Sequence, residues 1–207
     1  MAGKLIQEKF GQEVMNLVSA FAKADLRDSV TLAADEFSHV GDPALKQALA
    51  ETLYGSRWLY KLGLGLWVQN QELFAHVRAQ VIDYGSVCEA LLGSMIVHGA
   101  TGAHLTGGQW EYSNFNKKPH TKLNWANPVS AIDKTTFEWR IRVALEEGII
   151  DHPLFLRVSK LKGRRNSVHL TQKVSRNVVY YVGLSRSAYD TVYQVIAQTK
   201  AWKAAHP

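Results

Sequence analysis

The sequence predicts an all-α fold, and three features of the 207-residue chain indicate it. Apolar residues recur at spacings of three and four, which places them on one face of an amphipathic helix. Residues that cap helices, such as Asp42 followed by Pro43, precede several of these stretches. The segment 99–128 is rich in Gly, Asn, Thr and Lys and lacks any sustained periodicity. We therefore expect a helical bundle with one long loop between core helices.

The composition favours a single globular domain over residues 1–207. Hydrophobic residues make up 46% of the chain, which is enough to form a sizeable core. No window of about 18 apolar residues could span a bilayer, and the N-terminus lacks the apolar run of a signal peptide. We expect a soluble, cytoplasmic protein that does not bind a membrane. The single cysteine, Cys88, lies among apolar residues and is expected in the core.

The N-terminal third predicts two helices. The first covers roughly Lys4 to Phe37, and the second begins at Pro43, because Asp42 can accept hydrogen bonds from the free amides of a first turn. Glycines at 55, 63 and 65 weaken the second helix, so we expect an end, a kink or close packing near Trp58 and Trp67. The apolar stripes of the two helices contain Leu5, Phe10, Val14, Leu17, Val18 and Phe21, and Leu45, Leu49 and Leu53.

The clearest predicted helix runs from about Gln71 to His98. Glu89 lies inside this otherwise apolar stretch, where an acid more often turns toward solvent. A buried acid at this position would need a cation, and basic residues follow later in the chain. The stripe of this helix consists of Val77, Val81, Tyr84, Cys88, Leu91, Met95 and Ile96.

The long segment 99–128 allows two interpretations. Its aromatic residues either pin the loop to the core or stack on nucleic-acid bases beside nearby lysines. The histidines in and near it fit no compact metal motif and have no cysteine beside them, so we predict no structural zinc. The residues concerned are Trp110, Tyr112, Phe115 and Trp125, Lys117, Lys118 and Lys122, and His98, His104 and His120.

Two further helices are predicted before residue 171. Asp133 or Thr135 can cap the first, with Thr135-x-x-Glu138 in the form of a capping box, and Gly148 ends it. The second runs from Leu154 to about Leu170, separated from its predecessor by Pro153.

Residues 178–182 are compatible with a short strand or with the approach to a helix, because five apolar residues show no decisive period. Ser185 or Ser187 is predicted to cap the last helix, whose stripe contains Tyr189, Val192, Val195 and Ile196. Lys200 and Lys203 suit its negative C-terminal end.

Positive charge is concentrated between Leu154 and Tyr189, where there are eight basic residues and no acid. This excess is larger than the net charge of +6 of the whole chain. Such a segment favours phosphate binding, and nucleic acid is the commonest intracellular polyanion, although a solvated basic face is the alternative. The eight residues are Arg157, Lys160, Lys162, Arg164, Arg165, Lys173, Arg176 and Arg186.

Within this segment, four residues combine groups that can act on a phosphodiester. Arg165 and His169 lie four residues apart and so project from nearly the same helix face, and the long side chain of Arg164 can swing toward that face. Asn166 adds a neutral polar neighbour. An imidazole can move a proton near neutral pH, and a guanidinium can hold a phosphate as its charge increases in a transition state.

Two segments resemble the HEPN superfamily of small helical proteins. Arg164-Arg165-Asn166-Ser167-Val168-His169 contains Arg-x4-His counted from Arg164, and Arg-Asn-x-x-His counted from Arg165. The stretch from Tyr84 through Glu89 to Leu92 is similar to the earlier core helix on which such proteins often carry an acid. The resemblance covers about residues 70–200 and implies a helical extension over residues 1–69.

The resemblance implies a metal-independent endoribonuclease without a cofactor, in a toxin or antiphage-defence role. His169 would act as general acid or base, Arg164 or Arg165 would stabilise the transition state, and Asn166 would position the phosphate. It also implies RNA as substrate, a homodimer, and an antitoxin or defence protein as a possible partner. Glu89 would orient an arginine, and Lys160, Lys162, Lys173 and Arg176 would bind the RNA backbone.

Three other interpretations stay open at this point. The chain could be a non-catalytic HEPN-like module that binds a nucleotide, RNA or a protein within a larger assembly. Arg165 and His169 could pair with Glu89 only to hold two helices together. A basic DNA-associated protein is the weakest of the three, because no helix-turn-helix pattern is present.

Overall fold

The computed structural model describes residues 11–105, 111–112, 121–122, 126–166 and 179–207. Within these residues eight helices and two short strands are present, so the predicted all-α fold is confirmed. The strands are β1, Glu111–Tyr112, and β2, Thr121–Lys122. The helices are α1, Gln12–Lys23; α2, Ser29–Asp35; α3, Pro43–Gly65; α4, Asn70–Thr101; α5, Pro128–Ile132; α6, Phe137–Glu146; α7, His152–Asn166; and α8, Val182–Ala205.

The 32-residue helix α4 is the centre of the fold. It contacts α3, α5, α6, α7 and α8, and all of these helices contribute to one cluster of buried apolar side chains. Every residue of the stripe predicted for this helix is buried, including Cys88. No described helix combines the length and the apolar character needed to cross a bilayer.

Helix α3 begins at the predicted residue, and of the alternatives left open for its glycines the structure has an end near Trp67 and close packing at Gly63. The Asp42 carboxylate accepts hydrogen bonds from the amides of Ala44 at 2.9 Å and Leu45 at 3.3 Å. The helix ends at Gly65, and the chain turns at Trp67 with a φ of 53°. A Cβ added to Gly63 would lie 3.1 Å from Nδ1 of His76, so this glycine allows the close packing of α3 on α4.

The prediction of one continuous N-terminal helix over residues 4–37 is wrong in its middle part. The chain leaves the helix after Lys23, takes a positive φ of 60° at Asp25, and starts α2 after Asp28, whose carboxylate accepts from the Thr31 amide at 2.7 Å. A local cap therefore overrides the periodicity. Leu17, on the predicted apolar stripe, is 70% exposed. Residues 1–10, with Leu5 and Phe10, lie outside the described residues.

The predicted cap of α6 is wrong by one residue. The helix begins after Thr136, whose hydroxyl accepts from the Trp139 amide at 3.2 Å. Thr135 instead donates to the Ile132 carbonyl at 2.6 Å and accepts from Arg140, so its hydroxyl is not available to the first turn. Asp133 follows the last residue of α5. The predicted end near Gly148 is confirmed, since the helix stops at Glu146 and Gly148 has a φ of 65°.

The serine caps predicted for α8 are also wrong. The helix begins at Val182, with no side-chain cap at Tyr181, and so includes both Ser185 and Ser187. Ser185 is buried and donates its hydroxyl to Gln80 of α4, so tertiary packing uses this side chain. Pro153 lies in the first turn of α7 rather than before the helix, a position that tolerates proline.

The segment 99–128 is only partly described. Helix α4 extends to Thr101, and β1 pairs with β2 in antiparallel register, with Glu111 opposite Lys122, a ladder that the sequence did not predict. Trp110, Phe115 and Trp125 lie outside the described residues. His120 also lies outside the described residues. Among the residues that the structure describes, no group of three or more His, Cys, Asp or Glu side chains could hold a metal ion.

His39, after α2, is expected to make stability depend on pH. Its Nε2 lies 3.0 Å from Oγ1 of Thr199, while its Nδ1 is buried with no partner in the described part of the chain. Burial, with the charges of Lys200 and Lys46, lowers the pKa of His39 from 6.5 to about 4. The unfolded chain therefore binds the proton first, and the free energy of unfolding should fall by roughly 2 kcal/mol as the pH drops from about 6.5 to 4.

Urea unfolding of the parent and of His39→Gln between pH 7.5 and 4 measures this contribution. The variant, which has no ionisable group at this position, should show the smaller loss. Equal losses in the two proteins would show that His39 does not carry the pH dependence.

Candidate phosphate-binding site at the end of α7

The last turn of α7 places Arg165 against α4. Its Nη1 donates to Oε2 of Glu89 at 2.5 Å, an ion pair between the two helices. The side chain crosses α4 at Gly85, where an added Cβ would lie 2.9 Å from Cδ of Arg165. Its guanidinium carbon lies 5.8 Å from the centre of the Phe137 ring. The carboxylate, the glycine and the ring together fix the position of this guanidinium.

The Glu89–Arg165 pair is accessible to solvent on one side. The Arg165 side chain is 29% exposed and that of Glu89 is 22% exposed. A guanidinium carries five N–H donors, and the bond to Glu89 uses one of them. The same side chain can therefore be oriented by the carboxylate and still donate to a phosphate.

Arg140 supports this site from α6, and the sequence did not single it out. It donates to the backbone carbonyl of Glu89 at 3.3 Å, to that of Ile132 at 2.8 Å, and to the Thr135 hydroxyl at 3.0 Å. Burial lowers the pKa of Arg140, while the negative charges of Glu89 and Asp133 partly compensate. The position of Arg140 between two large apolar residues, Trp139 and Ile141, could have indicated from the sequence that this arginine is partly buried.

Arg164 and Asn166 flank Arg165 on the same turn. Arg164 is partly buried, and this burial lowers the pKa of its guanidinium, against the opposing effect of Tyr181. Asn166 is the last described residue of α7 and is exposed, and residues 167–170 of the predicted helix lie outside the described residues. His169, Lys173 and Arg176, which were predicted to belong to the same site, lie outside the described residues.

The lysines of α7 differ in their surroundings. Lys160 is exposed, whereas Lys162 is partly buried and donates to Glu138 of α6. Burial acts to raise the pKa of Glu138, but Lys162 and then Arg142 outweigh it, so that the pKa is lowered. Lys162 therefore links α7 to α6, and a phosphate would have to compete with a carboxylate for its charge.

No family model, no curated protein and no solved structure matches this chain. The resemblance to HEPN proteins therefore stays a prediction that depends on the two sequence segments.

Proposed function

We propose that the chain is a metal-independent endoribonuclease of the HEPN type with a toxin or antiphage-defence role. The ion pair between Glu89 and Arg165 is the observation that supports this most strongly. The pair joins the acid of one HEPN-like segment to an arginine of the other, although 76 positions separate the two residues in the sequence. The pair also leaves the guanidinium partly exposed, as binding of a phosphodiester requires.

In the proposed reaction, the ribose 2′-oxygen attacks the adjacent phosphorus and the 5′-oxygen of the next nucleotide leaves. His169 takes the proton from the 2′-hydroxyl or supplies one to the leaving oxygen, and water exchanges the other proton, which leaves a 2′,3′-cyclic phosphate and a 5′-hydroxyl. Arg165, oriented by Glu89, donates to the phosphoryl oxygens as negative charge increases on them. Asn166 positions the phosphate. Arg164 is the alternative for the catalytic arginine, and the bond to Glu89 favours Arg165 because orientation in advance lowers the cost of reaching the transition state.

The proposal includes a single domain over residues 1–207 and a cytoplasmic homodimer in which two copies of the Arg-His segment meet in one cleft. An antitoxin or defence protein would restrain or direct the activity. The RNA backbone would contact Lys160, Lys162, Lys173 and Arg176, so binding should weaken as salt increases.

The test is incubation of purified protein with total RNA in EDTA, beside the His169→Ala variant. Cleavage by the parent that persists in chelator and is lost in the variant is the expected result. Cleavage that needs added metal, or that His169→Ala retains, would contradict the mechanism. Growth arrest on expression, relieved by the same variant, gives a cheaper first measurement.

The two α7 lysines are expected to differ in RNA binding. Lys160→Ala should weaken RNA retention. The slope of the logarithm of the binding constant against the logarithm of the salt concentration should fall in magnitude by about one, the value for a single phosphate contact. Lys162→Ala should change the slope less, because Glu138 already neutralises this ammonium. Filter binding of a labelled RNA at several salt concentrations measures both slopes. A larger change in Lys162→Ala would show that RNA displaces Glu138.

A non-catalytic RNA- or nucleotide-binding module is the second candidate. The observation in its favour is that carboxylates already engage two of the basic side chains, in the pairs Glu89–Arg165 and Glu138–Lys162, which join α7 to α4 and α6. Equal RNA retention by the parent and His169→Ala, with no cutting by either, would establish this candidate instead.

A further inference from the structure

A second cluster of arginine and tyrosine side chains lies between α3 and α8 and shares no residue with the site at the end of α7. It surrounds a cavity of about 320 Å³. The cavity reaches the surface beside Arg186 and Asp190, which are both exposed. The side chains that line it are those of Arg57, Tyr60, Ser185, Arg186, Tyr189 and Asp190.

Arg57 is held in this cavity by aromatic rings. Its guanidinium carbon lies 4.4 Å from the centre of the Tyr189 ring and 5.5 Å from that of Tyr60. Within the described part of the chain it forms no ion pair, whereas Arg27, across a neighbouring cavity, pairs with Glu36. Ring faces hold a cation without neutralising it. Arg57 therefore presents its full charge to the cavity.

A buried hydroxyl lies next to Arg57, near enough for the guanidinium to interact with it. It belongs to Tyr84, which is 1% exposed and packs edge-on against Tyr189, with 6.0 Å between ring centres. Burial raises the pKa of Tyr84, and the charge of Arg57 partly opposes this. The interaction with Tyr84 helps to hold the Arg57 side chain at the cavity.

The polar groups around the cavity define the chemistry of a ligand. Two guanidinium groups, those of Arg57 and Arg186, suit the oxygens of a phosphate. The Asp190 carboxylate would repel a bare anion but accepts hydrogen bonds from hydroxyl groups. Ser185 gives its proton to Gln80, so its oxygen is also an acceptor. The phenol rings of Tyr60 and Tyr189 provide flat apolar surfaces.

We infer that this cavity binds a small sugar phosphate, a phosphomonoester on a hydroxylated ring. The phosphate lies between Arg57 and Arg186, the hydroxyl groups donate to Asp190, and the sugar ring packs on a tyrosine face. The volume is at the lower end of small-molecule sites and matches a ligand of this size. The site does not depend on the proposed nuclease, because none of its residues takes part in that reaction.

Calorimetric titration of the full-length chain at low salt tests this inference. The probes are ribose 5-phosphate, adenosine 5′-monophosphate, inorganic phosphate and adenosine. Both phosphorylated sugars should bind saturably, and phosphate and adenosine should each bind at least about tenfold more weakly, since each lacks one half of the contacts. Tighter binding of the nucleotide than of ribose 5-phosphate would assign the ligand to nucleotides, and similar affinities would assign it to sugar phosphates generally. Failure of both to saturate by about 10 mM, or equal binding of inorganic phosphate, overturns the inference.

Three variants distinguish binding in this cavity from a general effect of the protein's positive charge. Arg57→Gln and Arg186→Gln should each weaken binding of ribose 5-phosphate by about tenfold, as expected for loss of one charge-assisted hydrogen bond. Arg157→Gln, an exposed arginine of α7 outside the cavity, should bind like the parent. Arg186 is exposed, so its variant remains informative even if Arg57→Gln fails to fold. Unchanged affinity in Arg186→Gln, or an equal loss in Arg157→Gln, would contradict the assignment.

Discussion

Arg165→Ala is expected to reduce the rate of RNA cleavage in EDTA by about 10³-fold, the size of effect seen when a preorganised donor to a transition-state oxygen is removed. Arg164→Ala should reduce the rate by only about tenfold, because Glu89 orients its neighbour instead. The measurement is the single-turnover rate constant with a labelled RNA at saturating protein.

Loss of the Arg165 side chain also leaves Glu89 without its partner, so unfolding must be measured on the same samples. We expect the free energy of unfolding of Arg165→Ala to fall by about 1 to 2 kcal/mol. The conservative control is Arg165→Lys, which keeps the charge but loses the planar fork of donors and should recover stability better than rate. A larger rate loss in Arg164→Ala than in Arg165→Ala would transfer the catalytic role to Arg164.

Leu91→Ala is expected to lower the free energy of unfolding by about 3 kcal/mol, because truncation of a fully buried leucine leaves a cavity that the surroundings fill only partly. Leu91 is 0% exposed and belongs to the apolar cluster that α4 shares with the helices around it. Denaturation by urea, monitored by circular dichroism, measures the change.

The matched control for this substitution is Leu156→Ala on α7. Leu156 is 55% exposed, so the same truncation should change the free energy of unfolding by less than about 0.5 kcal/mol. Similar losses in the two variants would contradict the position of α4 at the centre of the core.

Apolar periodicity predicted most of the helices that build the core, but not the short helix α5, whose Ile132 belongs to the core. The apolar stripe from Val77 to Ile96 predicted α4 correctly. Such a pattern is informative because the packing of one apolar face supplies most of the stability of a long buried helix. Helix ends were harder to predict, because neighbouring polar residues compete for the same role. Thr136 caps α6 while Thr135 bonds to Ile132 and Arg140, and this difference depends on contacts made after folding.

The candidate site was predictable in part from chemistry. An acid that is buried in an apolar helix needs a cation, and the structure brings Arg165 to the largely buried side chain of Glu89. Neither the role of Arg140 nor the cavity around Arg57 could be predicted, since both need helices that are distant in sequence. Nothing in the local pattern indicated that Tyr60 and Tyr189 would face the same guanidinium.

The most direct test of the central claim is the cleavage rate of the double variant Glu89→Arg, Arg165→Glu in EDTA. Exchange of the two charges keeps an ion pair between α4 and α7 but moves the guanidinium from α7 to α4. We predict a free energy of unfolding within about 1 kcal/mol of the parent and a cleavage rate below about 1% of the parent's. A double variant that is equally stable and cleaves RNA at the parent's rate would show that the pair only joins the helices, and would contradict a role for Arg165 in the reaction.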